Sequence, residues 1–284
     1  MLKKSRLSRL FQFLPCLFLL TLAAQAAEKQ PSQFARFSFE SDSVTLHEPV
    51  ILEFTVHNEG EAVLHLNLGR DRRARFLLFL TMPSGERIEL HSTFREGFSR
   101  VGDIDIAPGE TYRQQLILNR WFEFKDTGRY TLEAGLRNED AGRRDGTSPG
   151  ELFFSGALNI EARDVSALSK RCEALARAVE ESSSYEPAQQ AALTLSYVTD
   201  DVAVPYLRRV LLSGKLVEPI ALEALGRIGD HQAVSVIRLG LDLKDDDKAA
   251  MTRSIMLSIQ DNTTDPNLKE EIQTILKSDP AKSS

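Results

Sequence analysis

The sequence predicts two unlike parts, an antiparallel β-sandwich followed by a stack of α-helical repeats. Three observations predict this. Residues 34–162 carry short apolar runs that alternate with period two and are separated by turn residues. At Asp164 the period changes to helical spacing. The stretch 191–211 then returns in altered form as 221–241, so that Asp200, Ala203, Val204, Arg208 and Leu211 recur as Asp230, Ala233, Val234, Arg238 and Leu241, at a constant offset of 30. A fixed period with apolar residues at helical spacing signals stacked helical hairpins.

The first residues are expected to leave the mature chain. Lys3, Lys4, Arg6 and Arg9 precede an apolar run over 10–22, and Ala24-Gln25-Ala26 offers small residues for cleavage. That order reads as a secretory signal peptide, residues 1–26, which makes the protein periplasmic or secreted. The run is short for a membrane span and is broken by Gln12 and Pro15. No stable membrane insertion is expected after cleavage.

The β part is assigned to 28–163. Val50, Leu52, Phe54 and Val56 alternate with Ile51, Glu53, Thr55 and His57, so the first set is the buried face. Asn58-Glu59-Gly60-Glu61 is a turn, and Leu64, Leu66 and Leu68 alternate beyond it. Residues 76–81 are nearly all apolar, as in a central strand. Pro83-Ser84-Gly85 and Ala107-Pro108-Gly109 are further turns. Tyr112, Gln114, Leu116 and Leu118 share one face, and 130–136 and 152–160 complete seven to nine strands.

The helical part is assigned to 164–279, with 280–284 a disordered tail. Asp164 is placed to cap a helix whose stripe is Val165, Leu168, Cys172, Leu175 and Val179. The linker before it is very short, so the two parts should touch. Pro187, Pro219 and Pro266 each open an apolar-periodic run, and Gly214 and Gly229 sit where helices end. Asp200 and Asp230 fall in the turn inside each repeat, where a carboxylate accepts N–H bonds of the next helix.

Two resemblances follow from these residues. Asp126-Thr127-Gly128-Arg129-Tyr130-Thr131-Leu132 resembles the tyrosine corner of immunoglobulin-like domains, and the segment 48–60, EPVILEFTVHNEG, is similar to the opening strands of bacterial modules of that type. The disulfide of that family is absent, since Leu132 stands at its second cysteine. The segment 221–234, ALEALGRIGDHQAV, resembles the short HEAT-like repeats named after phycobilisome lyases; 191–204 is a weaker copy, and 245–277 a third unit. The resemblance implies a pile of helix pairs used for protein contacts. It does not imply lyase activity.

Charge and cysteine use exclude several classes. The full chain has 35 Lys+Arg, 41 Asp+Glu and a net charge of −6; losing Lys3, Lys4, Arg6 and Arg9 brings it near −10. An acidic exported chain suits neither nucleic acid nor an anionic membrane. Of two cysteines, Cys16 departs with the signal and Cys172 remains alone, so packing rather than a disulfide must hold both parts. Cys172 lies on an apolar stripe and reads as a buried hydrophobe. The five histidines, His47, His57, His65, His91 and His231, form no metal-spaced pair, although His57 and His65 flank a turn where they could face each other. The acids Asp245-Asp246-Asp247 open a helix and suit its dipole. No catalytic residue, metal site or cofactor is expected.

What remains is arginine. The loop 69–75, GRDRRAR, places Arg70, Arg72, Arg73 and Arg75 together, where guanidinium groups grip carboxylates. The loop 138–150, NEDAGRRDGTSPG, holds Arg143 and Arg144 between the last two strands. Arg208 and Arg238 repeat at one position of successive second helices, either lining a face or pairing with acids of the neighbouring unit. These residues are the candidate protein-binding set. The expected function is non-enzymatic protein binding or scaffolding in a bacterial cell envelope, with the partner's identity open. The alternative is an inhibitor of a secreted or periplasmic protease acting through the sandwich loops.

Overall fold

The computed structural model describes residues 35–68, 75–91, 102–137, 150–242 and 245–278. The segment expected to be a signal peptide, the expected tail and most of both arginine loops lie outside these residues. A β part comes first and a helical part second.

The strands are β1 (Ala35–Phe39), β2 (Ser43–Thr45), β3 (Ile51–His57), β4 (Leu64–Asn67), β5 (Phe76–Thr81), β6 (Arg87–Glu89), β7 (Asp103–Ile106), β8 (Thr111–Ile117), β9 (Gly128–Arg137) and β10 (Gly150–Glu161). They form a three-stranded sheet β1-β3-β8, a five-stranded sheet β2-β10-β9-β5-β6 and a two-stranded ladder β4-β7. Pairing is antiparallel except where β10 runs parallel to β2. The alternation read from sequence explains the core. Leu52, Phe54 and Val56 from β3 are 0% exposed, and they share one core with Phe76, Leu78, Leu80, Leu132 and Leu158 of the five-stranded sheet. Each such side chain contributes roughly 1.5–3 kcal/mol on burial.

The longest ladder, β9 against β10, carries a bulge. Pairing steps from Leu152↔Gly135 to Phe154↔Ala134, which leaves Phe153 as the extra residue. Gly135 makes the bulge possible, because a Cβ there would lie 1.8 Å from the Glu151 carbonyl oxygen. The extra residue stacks on Phe37, with ring centroids 5.3 Å apart.

The helices are α1 (Val165–Glu181), α2 (Tyr185–Leu195), α3 (Val204–Leu211), α4 (Glu218–Ile228), α5 (His231–Ile237), α6 (Asp246–Asn262) and α7 (Pro266–Ser278), with 3-10 turns at Asp201–Ala203 and Arg238–Asp242. Helix α1 packs on α2 and α3, α4 on α3, α5 and α6, and α6 on α7. Leu207, Leu225 and Ile237 lie between these helices at 0% exposure. The Asp164 carboxylate accepts the Ser166 and Ala167 N–H bonds, capping α1 as expected. Asp200 accepts from Val202, and Asp230 from Ala233. Asp245 accepts from Asp247 and Lys248 at the start of α6.

Gly226 and Gly229 do separate jobs. A Cβ at Gly226 would meet Ile255 Cγ2 at 2.7 Å, so its absence lets α6 lie close to α4. Gly229 takes φ +63°, the left-handed conformation that ends α4.

Several expectations need correction. The immunoglobulin-like reading is not supported. The strands fall into three separate ladders of three, five and two, whereas that fold divides them between two sheets, of four and three strands or of four and five. The local feature behind the resemblance is present, since the Tyr130 hydroxyl donates to the Asp126 carbonyl at 2.9 Å. One capped turn constrains a few residues and does not dictate strand order. The HEAT-like reading is not supported either. Ala191 lies past the middle of α2, whereas its counterpart Ala221 lies in the first turn of α4, so the offset of 30 aligns the turn aspartates rather than whole hairpins. Of the stripe read from sequence, Leu168, Cys172 and Val179 are buried and Leu175 is half-buried, but Val165 is 45% exposed, and Ala176 is buried in addition. His57 and His65 do not face each other. His57 bonds Thr111 on β8 at 2.8 Å and His65 bonds Asp105 on β7 at 2.6 Å, because β3 and β4 belong to different ladders.

Candidate interaction surface

The β part fixes the orientation of the helices through polar contacts. The Thr45 hydroxyl donates to the Ala162 carbonyl at 2.7 Å and accepts from the Asp164 N–H at 2.7 Å. The Arg163 guanidinium forks onto the Asp200 carboxylate, at 2.5 Å from Nε and 3.0 Å from Nη2. Arg171 on α1 donates to Glu40 at 2.6 Å, and Gln190 on α2 to Gln115 on β8 at 2.9 Å. His47, held at φ 74°, meets the Thr199 hydroxyl at 3.0 Å. The Asp200 side chain is only 4% exposed. Its pKa lies well below the usual carboxylate range, chiefly because Arg163 hydrogen-bonds the charged form, with the Val202 N–H adding to it. One aspartate therefore caps the turn after α2 and anchors the helices to the β part; its repeat counterpart, Asp230, only caps.

Cys172 sits behind this junction at 0% exposure. Burial, and then the charges of Asp200 and Glu48, push its thiol up to about 12, so it stays protonated and inert.

The repeated arginines take a different role from their neighbours. Arg209 donates to Glu180 and Glu173 of α1, and these bonds lower both carboxyl pKa values. Arg177 pairs with Glu173, and Arg227 donates to the Ser196 carbonyl at 2.7 Å. Arg208 and Arg238 are exposed and have no ion pair among the described residues. The pairing weighed for them from sequence is thus made by Arg209, one position on. Leu212, one turn beyond Arg208, is 50% exposed, and Leu216 is 70% exposed at φ 60°.

Beside Arg238 a groove of ≈ 460 Å³ opens between α5 and α7, lined by Ser235, Arg238, Asn267, Glu270, Glu271, Thr274 and Ile275. At its edge His231 lies 2.6 Å from Glu271 and 3.1 Å from Asp265. These carboxylates raise the imidazole pKa, Glu271 most. Sequence reasoning passed over Asn267 and Glu270, although their i, i+3 spacing on an amphipathic helix marks one polar stripe.

Of the other candidates, Arg75 is half-buried directly before β5 and already has an interaction. Arg70, Arg72, Arg73, Arg143 and Arg144 lie outside the described residues. Among the described residues no His, Cys, Asp or Glu group is arranged to hold a metal. No helix there is long and apolar enough to cross a membrane.

No protein-family model matches the chain, and no curated protein does. Among solved structures, a β-glucosidase from Listeria innocua aligns at 11% identity and TM-score 0.24, over 45% of this chain and 16% of that one. The alkylpurine DNA glycosylase AlkC from Pseudomonas fluorescens aligns at 12% identity and TM-score 0.24, over 46% and 30%. The sporulation control protein Spo0M from Bacillus subtilis aligns at 14% identity and TM-score 0.27, over 50% and 54%. The chain thus spans between about one sixth and about half of these structures. Likeness at this level identifies neither a fold family nor an activity.

Proposed function

We propose that this chain is an exported, non-enzymatic protein-binding or scaffolding protein of the bacterial cell envelope, working through the exposed face of its helices. The observation that carries this reading is the pair Arg208 and Arg238. The neighbouring Arg177, Arg209 and Arg227 are tied to carboxylates or carbonyls, while this pair stays exposed without an ion pair among the described residues. Exposed guanidinium groups are ready to take carboxylates of a partner. Leu212, one turn beyond Arg208, supplies exposed apolar surface beside it. The anchored junction supports the reading too, because it presents this face in a fixed orientation.

The described groups with shifted titration have structural accounts. Asp200, Glu173 and Glu180 answer to arginines, and Asp265 answers to N–H bonds at the start of α7 and to His231. The test is capture of envelope proteins on the immobilised exported chain, with Arg208→Ala/Arg238→Ala in parallel. The reading expects a reproducible partner that the double variant loses while keeping its fold. Equal capture by both, or none by either, contradicts it.

A further inference from the structure

We infer that the groove between α5 and α7 binds an extended peptide segment bearing one acidic and one basic side chain. This deepens the protein-binding reading and rests on it. The groove volume, ≈ 460 Å³, falls within the roughly 300–1,000 Å³ that accommodates a short ligand. Ile275, 8% exposed, supplies apolar surface, and the other lining residues are polar.

The lining groups divide into committed and uncommitted ones. Glu271 is held by His231 at 2.6 Å, and the Thr274 hydroxyl donates to the Glu270 carbonyl at 2.9 Å. Arg238 on one wall and Glu270 on the other are both exposed, and neither has an ion pair among the described residues. The Ser235 hydroxyl and the Asn267 amide likewise make no side-chain hydrogen bond there. Asn267 offers a carbonyl and an NH₂, which match the N–H and C=O of a passing peptide group. Arg238 takes a carboxylate through two parallel N–H bonds, and Glu270 takes an ammonium or guanidinium group. A simple anion would satisfy Arg238 and leave Glu270 opposed. A nucleic acid backbone would meet both Glu270 and Glu271. A dipolar peptide satisfies both walls at once.

The test is amide-shift mapping on the ¹⁵N-labelled exported chain, titrated at constant ionic strength with acetyl-Ala-Glu-Ala-Lys-Ala-amide. Controls are the same peptide with Gln for both Glu and Lys, and sodium glutamate. The inference expects shifts clustered at Ser235, Arg238, Asn267 and Glu270, with binding weakened roughly tenfold by Arg238→Gln or Glu270→Gln and by the neutral peptide. Both substituted side chains are exposed, so unchanged shifts elsewhere confirm that the variants are folded. No clustered shifts, equal binding by the variants, or equal shifts from sodium glutamate overturns it. Capture that needs Arg208 but is unchanged by Asn267→Ala/Glu270→Gln also overturns the groove assignment, and leaves the protein-binding reading standing.

Discussion

Asp200 concentrates more of the architecture than any other single side chain. It caps the 3-10 turn before α3, receives the Arg163 fork and is almost fully buried. Asp200→Ala should destabilise the protein by about 2 kcal/mol, through the lost cap and charge-assisted bonds, as read by urea unfolding. Its carboxyl pKa is depressed in the fold, so its contribution is complete above the unfolded value of about 3.9 and is lost as pH falls through the lower native value. Asp200→Asn should therefore flatten the acid limb of the stability profile below about pH 4 and leave its shape near neutrality unchanged. His231 behaves in the opposite sense. Its pKa is raised by Glu271 and Asp265, so its stabilisation is complete below the usual value of about 6.5 and disappears as pH rises through the higher native value. Glu271→Gln should move the His231 titration midpoint, followed by NMR, back toward that usual value. A midpoint already there in the wild type contradicts the ion pairs. Cys172 should resist alkylation at neutral pH in the native state and react once the chain is unfolded.

Among the elements, β9, β10, α4 and α6 depend most on missing side chains. Gly135→Ala would place a Cβ against the Glu151 carbonyl, a backbone atom that cannot swing aside. The expected loss is about 3 kcal/mol, with the β9–β10 amides losing hydrogen-exchange protection first. Gly226→Ala meets only the Ile255 Cγ2 methyl, so replacing that neighbour with a side chain unbranched at Cβ, Ile255→Leu, should recover part of a smaller loss. Local order was legible in the sequence because the period and the caps are local. The alternation of β3 and the caps at Asp164, Asp200 and Asp230 were all readable from a few adjacent residues. Sheet membership was not, because it is decided by partners far along the chain. Nothing near His57 and His65 says that one strand pairs with β8 and the other with β7. The bulge at Phe153 was hidden for the same reason, since it needs Gly135 from the facing strand.

At the scale of the whole molecule, the two parts share a bonded junction rather than a loose tether. Thr45, Arg163, Arg171 and Gln190 each bond across or beside it. The repeat at offset 30 pointed to Arg208 and Arg238, and both are exposed. It could not reveal which neighbouring arginine spends its charge inside the fold, because Arg208 and Arg209 differ only in the face of α3 they occupy. It was equally silent on the groove, whose far wall comes from α7, a helix outside the paired segments. The measurement that bears most directly on the protein-binding account is quantitative capture from envelope extract by the wild type and by Arg208→Ala/Arg238→Ala, with matched unfolding curves. The account predicts a partner retained by the first and lost by the second at unchanged stability. Capture that is the same for both proteins contradicts it.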